Sequence, residues 1–282
     1  MIYVVIPVFN RLEKTKSIVS CLREQTAKDF IHTIIIDDGS TDGTREWLIE
    51  QNDIKTIKGT GNLLWGGAVN LAFNYLEKIA NYTDWVLLIN NDVIIEKNYI
   101  KNLFNLAKKY YPAAIGSAIK NCNKTPEITS LTIKVDTWNL QINDELKNKK
   151  KYQSFDIAES DVLSGRGVIY PFEKIKQCGG MRPKLLPHYY SDYELSLRAK
   201  KVGLKLLVSL NNCVFSEEDF MKKKAERKKE KFLTKLLVRK SSSYFVAKIA
   251  FWIQASDWLG LITLPFRIII FMIIPNRGSK LF

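Results

Sequence analysis

The 282-residue chain is poor in the side chains that build metal cages and covalent cross-links. It has two histidines, His32 and His188, and four scattered cysteines, Cys21, Cys122, Cys178 and Cys213. No CxxC pair and no Cys/His cluster occurs, which argues against a zinc site and against a disulfide framework; free thiols in a reducing compartment are expected. No GxGxxG follows the first apolar run and no P-loop occurs, so dinucleotide and P-loop chemistry are disfavoured. The opening "MIYVVIPVFNR" has no basic stretch before its short apolar run, so no secretory signal is expected. Internal repeats are missing, and the one low-complexity tract is lysine-rich.

What is present is apolar bulk and positive charge. Hydrophobic residues at 46% and aromatics at 11% support a packed core and exclude global disorder. The net charge of +14 suggests a polyanionic partner. Lys222 to Lys240 holds ten Lys or Arg against Glu226 and Glu230, so +8 sits in one segment and the rest is mildly basic. That run has a single aromatic, Phe232, and the other aromatics sit in the apolar segment after it, which makes nucleic acid a weak candidate. Anionic lipid or a phosphorylated substrate suits it better.

Along the chain, β-branched runs alternate with helical periodicity. "IYVVIPVF" reads as a buried strand broken by Pro7. Leu12 to Gln25 carries a helical stripe, Thr33 to Ile36 a second strand, Thr44 to Gln51 a helix and Ile54 to Ile57 a short strand. "GTGNLLWGGAVN" reads as a glycine-rich loop feeding a helix from Gly66 to Ile79. "DWVLLIN" is a strand and Lys97 to Tyr110 a helix. This alternation predicts an α/β fold, a mostly parallel sheet with helices on both faces. Lys120 to Ser160 is poorly patterned, fitting antiparallel hairpins or an acceptor-side excursion. "DVLSGRGVIYPFEKIKQCGG" gives a strand, a turn and a short helix. "SDYELSLRAKKVGLKLLVSL" gives a helix over Asp192 to Lys201, a Gly203 C-cap and a strand.

Ligands in such sheets bind beyond the carboxyl ends of the strands. Pro7–Phe9, Asp37–Asp38 and Asn90–Asp92 all fall there, so the three should meet on one edge. "IIIDDGSTDGT" follows a buried strand with carboxylates that suit a nucleoside, or equally a turn with an Asx cap. In "LLINNDVII" the notch at Asn90, Asn91 and Asp92 is a plain turn or a place where Asp92 holds Mg²⁺ or Mn²⁺ beside substrate phosphates. Asp192 is a helix N-cap or a general base. Glu194 and Arg198, four apart, pair on one helix face. Arg166 in "SGRG" suits a diphosphate and Trp65 in "LLWGG" a sugar; a surface arginine and a core-edge tryptophan serve as well. His188 at most lines an entrance near Asp192, and His32 has no role.

"IPVFNR", "DDGSTDGT", "NND" and "CGGMRPKLLPHYYSDYELSLRAKKVG", in that order, resemble the family 2 glycosyltransferases of the GT-A fold over roughly residues 1–215. "GNLLWGGAVN" is similar to a loop of bacterial surface-polysaccharide enzymes, rhamnosyltransferase-like ones among them. The resemblance implies a nucleotide-sugar donor (UDP- or dTDP-sugar), Mn²⁺ or Mg²⁺ on its diphosphate, and inversion at the anomeric carbon. Pro7 and Phe9 would flank the nucleobase, and Asp38 would bond the uracil or thymine and ribose region. Asn90, Asn91 and Asp92 take the place of the DXD motif with Asp92 as metal ligand, and Asp192 matches the acid that deprotonates the acceptor. Two positions depart from the pattern. Asn90 replaces the first acid of DXD, and Ser216, with Glu217 beside it, stands where many members carry a histidine. A catalytically silent nucleotide-sugar-binding or assembly subunit is therefore the alternative.

The basic run precedes "SYFVAKIAFWIQASDWLGLITLPFRIIIFMII". Trp258 to Ile274 is barely long enough to span a bilayer and contains Pro265 and Arg267. Two interfacial or re-entrant helices on an anionic membrane surface are expected, at the cytoplasmic face of a bacterial inner membrane, with a glycan or lipid-linked saccharide as acceptor. A solvated helix plus an oligomerisation surface is the blander option. The expected organisation is a GT-A domain at 1–215, a basic linker at 216–240 and membrane-associating helices at 241–282.

Overall fold

The computed structural model describes residues 1–146, 155–216 and 236–273. Glu217, most of the lysine-rich run and Ile274 lie outside them.

The first half is built from strand–helix units. They are β1 (Ile2–Val8), α1 (Leu12–Arg23), β2 (Ile31–Asp37), α2 (Thr44–Ile49), β3 (Ile54–Lys58), α3 (Leu64–Ile79), β4 (Trp85–Leu88), the short β5 (Val93–Ile94) and α4 (Tyr99–Lys109). β3, β2, β1 and β4 lie side by side in that order, all parallel. The poorly patterned stretch yields β6 (Ala113–Asn121), β7 (Ile128–Ser130), the antiparallel hairpin of β8 (Ile133–Asp136) and β9 (Gln141–Asp144), and β10 (Ile157–Glu159). β11 (Val168–Pro171), α5 (Phe172–Gln177), α6 (Ser191–Lys201) and β12 (Lys205–Ser216) complete the body. The sheet continues past β4 through β11, β6, β12 and β10, with β5 and β7 off this path. β6 and β12 are parallel to each other, whereas β11 and β10 run against their neighbours.

Both faces of the sheet are covered, which is why its central strands read as unbroken apolar runs. Residues two apart share a face. Tyr3 and Val5 therefore join α3 and α6 in one core with Phe73, Leu76 and Leu195. Ile2, Val4 and Ile6 join α1 and α4 in the other with Ile18, Leu22 and Leu103.

Three local expectations shift. Pro7 does not break β1, which runs on to Val8 with Pro7 opposite Ile36. Val5 accepts from Ile89 on the β4 side. Pro7, two residues on, turns its missing N–H to that side, where β4 has already ended, so no ladder bond is lost. α3 begins at Leu64 rather than Gly66. α6 starts one residue early, with Tyr190 in the N-cap position at φ 66°, so Asp192 is inside the first turn and is not the cap.

The C-terminal segment folds back on the body. α7 (Phe245–Ala255) and α8 (Trp258–Ile273) share a third core with the β8–β9 hairpin: Ala247, Phe251, Trp252 and Leu264 pack with Ile133, Leu140, Val162 and Leu186. Arg267 is buried, donates to the carbonyls of Thr137 and Gly260, and lies 5.1 Å from the Trp138 ring. Trp258, Ile262 and Phe266 are each more than 60% exposed on the outer side of the same helix. Among the described residues no helix is long and apolar enough to cross a membrane.

Candidate active site

The carboxyl ends of β1, β2 and β4 open into a cavity of about 720 Å³. The nine residues proposed from the sequence to bind donor or metal or to act as base all line it: Pro7, Phe9, Asp38, Trp65, Asn90, Asn91, Asp92, Arg166 and Asp192; Asp37 and Ser216 do not. Residues up to 185 positions apart in the chain thus meet on one edge, because parallel strands bring their ends into register. His188 lines the cavity as well, while His32 lies on the far side of β2's start, stacked on Tyr3 at 5.5 Å between ring centroids.

Asp37 and Asp38 divide the labour that the sequence left open. Asp37 Oδ1 accepts from the Ser40 amide at 2.9 Å and closes the turn. Asp38 Oδ1 accepts from Gly61 N–H at 2.8 Å, and its Oδ2 from Leu63 and Leu64 N–H at 2.8 and 3.0 Å. A carboxylate has about four acceptor positions. Three of Asp38's are thus given to the glycine-rich loop, leaving it chiefly a clamp with limited capacity toward a ligand. The first turn of α3, just after that loop, needs a glycine for close approach: a Cβ on Gly66 would stand 2.5 Å from the Leu186 carbonyl and 2.7 Å from Ser191 Oγ.

The polar notch after β4 is a set of fixed side chains. Asn90 Oδ1 accepts from Trp65 Nε1 at 2.9 Å, which holds the indole over the cavity. Asn91 is buried and donates to Thr15 Oγ1 at 3.1 Å. Asp92, with its side chain 3% exposed, meets Arg11 Nη1 at 3.3 Å and Arg166 Nη2 at 3.9 Å, both through Oδ2.

Asp192 sits across from this group. Its Oδ2 accepts from Gly165 N–H at 2.9 Å and its Oδ1 from Tyr193 N–H at 2.9 Å. Burial pushes its carboxyl above the ordinary carboxylate range, opposed by those backbone donors and by the Arg166 charge. The dipeptide Gly165–Arg166 therefore ties the two carboxylates together: its first residue donates to Asp192 and its second reaches Asp92. Gly165 has to be small, since a Cβ there would overlap the Trp65 ring.

Strain gathers here too. Of five non-glycine residues with positive φ among the described residues, Arg11, Leu64 and Tyr190 line the cavity. Such backbone persists where surrounding structure over-determines it, and it clusters at functional sites.

Sequence reasoning missed Arg11, Tyr189 and Lys240 as cavity residues. Arg11 lies inside the quoted "IPVFNR", but no spacing rule points its side chain at Asp92. Lys240 is the last residue of the basic run, and only the fold-back of the C-terminal segment brings it in.

The glycosyl transferase family 2 model matches residues 3–169, more than half of the chain. The chain belongs to glycosyl transferase family 2. A curated relative, the uncharacterized glycosyltransferase MG060 homolog of Mycoplasma pneumoniae, is 25% identical over 169 residues, 57% of this chain and 52% of its own length. The family 2 chain thus spans about half the length of that relative. Among solved structures, GalNAc-T7 with UDP, GalNAc and Mn²⁺ aligns at a TM-score of 0.60 and 16% identity, covering 76% of this chain and 43% of that one. S. aureus TarS (1–349) with UDP-GlcNAc aligns at 0.56 and 17%, covering 77% and 58%. The mannosyltransferase PcManGT from Pyrobaculum calidifontis, with GDP-Man and Mn²⁺, aligns at 0.56 and 14%, covering 99% and 82%. At these identities the likeness is one of fold, and it is the GT-A fold.

Two of those neighbours carry Mn²⁺. Among the described residues of the family 2 chain, no three His, Cys, Asp or Glu side chains converge as a closed metal cage. The cavity edge offers one strand-end carboxylate, Asp92, with two amide side chains before it. That donor set fits Mg²⁺ or Mn²⁺ held by few protein ligands and chiefly by a substrate's phosphates.

Proposed function

We propose that the chain transfers a sugar from a UDP- or dTDP-sugar to a hydroxyl of a glycan or lipid-linked saccharide, with inversion, in bacterial surface polysaccharide synthesis. The observation that carries this reading is the joining of Asp192 to Asp92 across one cavity through Gly165–Arg166.

In this reading Asp192 accepts the acceptor's proton as the acceptor oxygen bonds the anomeric carbon, and the bond from that carbon to the nucleoside diphosphate breaks. A positioned base is worth about 10²–10⁴-fold in rate. A carboxyl raised above its usual range is a stronger base than an ordinary aspartate, yet the two backbone donors keep its ionised form accessible. One carboxylate assigned as base, with Asp38 given to the loop amides and Asp92 to the arginines, suits a single in-line displacement and therefore inversion. Pro7 and Phe9 form the wall for the base, Trp65 the wall for the sugar, and Arg166 faces the diphosphate. Asp92 would hold Mn²⁺ or Mg²⁺, whose charge would stabilise the leaving diphosphate. Asn90 acts indirectly by fixing Trp65, and Asn91 by fixing the strand end against α1.

The organisation follows: residues 1–215 as the catalytic domain, 216–240 as a basic linker and 241–282 as helices that lie on the cytoplasmic face of the inner membrane. Support comes from the exposed apolar row of α8 beside the lysine-rich sequence.

The test is thermal stability of the full chain against UDP-, dTDP- and GDP-sugars, each with Mn²⁺ or EDTA, followed by turnover with the stabilising donor. A Mn²⁺-dependent rise for one donor, lost in Asp92→Ala, is expected. No rise with any donor would sink the donor reading; a rise without turnover on any saccharide acceptor would leave a binding subunit.

A further inference from the structure

The donor cavity contains more positive charge than the sequence motifs account for. Arg11 enters from the turn after β1, Arg166 from the turn before β11, and Lys240 from the C-terminal segment. The two arginines converge on the same oxygen of Asp92, at 3.3 and 3.9 Å. Lys240 Nζ lies 5.2 Å from the centroid of the Phe9 ring, and Ser242 beside it lines the cavity as well.

Arg11 is held there with unusual care. Asn10 and Arg11 both have positive φ, at 56° and 73°. The turn is fastened by Asn10 N–H to Ser40 Oγ at 2.8 Å, by Thr41 N–H to Asn10 Oδ1 at 2.9 Å, and by Leu12 N–H to Asp42 Oδ2 at 2.9 Å. A strained backbone kept in place by three cross-chain bonds argues that the direction of Arg11 matters. Asp38 and Asp192, the other carboxylates lining the cavity, are held by backbone amides, so the two guanidinium groups gathered at Asp92, with Lys240 on the same cavity, are suited to an anion placed beside Asp92. Guanidinium forks match phosphate oxygens, and a lysine adds a mobile point charge.

We propose that Arg11 and Lys240 complete, with Arg166, a cationic cradle for the diphosphate of the donor, and that the C-terminal segment is therefore part of the donor site. This rests on the donor reading above. Arg11 bridges Asp92 and the diphosphate. Lys240 leaves the face of Phe9 when a nucleobase takes it and turns its ammonium to the phosphates. The last described stretch of the chain thereby closes the cavity over the donor, and no donor site is complete without it.

The experiment is calorimetric binding of matched pairs to the full chain: UDP and uridine, dTDP and thymidine, GDP and guanosine, in EDTA and again with Mn²⁺. For the pair that binds, Lys240→Ala and Arg11→Gln should each weaken the nucleoside diphosphate about tenfold, the size of one charge-assisted bond, and leave the nucleoside unchanged. Lys240→Arg should restore most of the affinity. Binding of the diphosphate should also fall with salt less steeply in the variants than in the wild type. Lys240 is exposed, so its replacement does not threaten the fold, and circular dichroism of both variants checks this. Unchanged diphosphate affinity in both variants would overturn the cradle. An equal loss for nucleoside and diphosphate in Lys240→Ala would overturn it as well, assigning Lys240 to the base. Failure of the wild type to bind any nucleoside diphosphate would instead remove the donor reading, and the cradle with it.

Discussion

At Asp192, the proposed role as base and the stability of the fold pull in opposite directions. Its carboxyl is raised chiefly by burial, so ionising it in the folded chain puts an anion in a place that disfavours it. The folded state binds its proton more tightly than the unfolded chain does. Stability therefore falls as pH rises from the unfolded carboxylate value, about 3.9, through the raised folded value. Asp192→Asn removes that cost but keeps an oxygen for only one of the Gly165 and Tyr193 amides, its NH2 facing the other donor. The expected outcome is a melting-temperature difference that moves in the variant's favour as pH rises from about 4 to about 7, the lost bond setting a pH-independent offset. Transfer should fall about 10²–10⁴-fold. Wild-type turnover should drop as pH falls through the same raised value, so the acid limb of the rate profile and the stability difference report one group. A difference that stays constant with pH would mean that the ionised carboxylate carries no burial cost. Asp38 shows how far a residue's part can be read ahead of its fold: its place on the cavity edge was legible from "IIIDDGS". Its three amide bonds were not, because they come from a loop more than twenty residues on.

The elements were legible where one periodicity acted alone. β1, β2, β4, α1 and α3 follow directly from apolar spacing, and their parallel order from strand–helix alternation. The stretch around the β8–β9 hairpin was not legible in detail, since short half-exposed strands owe their pairing to distant partners such as Ser160 and Asp161. α6 lies between these cases. Its Glu194–Arg198 pair was expected from spacing, but burial gives it a weight that spacing could not. Arg198 donates from Nε and Nη2 to the two Glu194 oxygens at 2.7 and 2.8 Å, and from its other donor positions to the carbonyls of Cys178 and Gly180. Arg182 adds a contact to Glu194 at 3.2 Å. The pair thus pins the α5–α6 connection that leads to Asp192. Arg198→Ala would strand a buried carboxylate and two carbonyls, a change worth about 3–5 kcal/mol. Urea unfolding should register that loss; less than about 1 kcal/mol would show that Arg182 alone satisfies Glu194, on the scale of an exposed pair.

On the scale of the whole molecule, α8 is inside out relative to a helix on an ordinary water-facing surface. Gly260, Leu264 and Arg267, at helical spacing, face the body, with Arg267 fastened to the hairpin through Thr137 and Trp138 and to its own helix through the Gly260 carbonyl. Trp258, Ile262 and Phe266, also at helical spacing, face outward. The sequence showed a greasy segment broken by Arg267 and Pro265, with no clean polar face. The fold explains why: the polar residue is the anchor, and the apolar row is what remains exposed. An exposed row of this kind marks an interaction surface, and the ten Lys and Arg residues between Lys222 and Lys240 favour an anionic bilayer as its occupant. On vesicles containing an anionic phospholipid, full-chain sedimentation should weaken at least about tenfold in Trp258→Ser/Ile262→Ser/Phe266→Ser. Each buried side chain of this size is worth about 1.5–3 kcal/mol when fully removed from water, and interfacial burial is partial. Nucleotide affinity should be unchanged, since none of the three lines the cavity. Undiminished sedimentation, with the triple variant instead losing self-association in light scattering, would assign this face to a second copy of the chain.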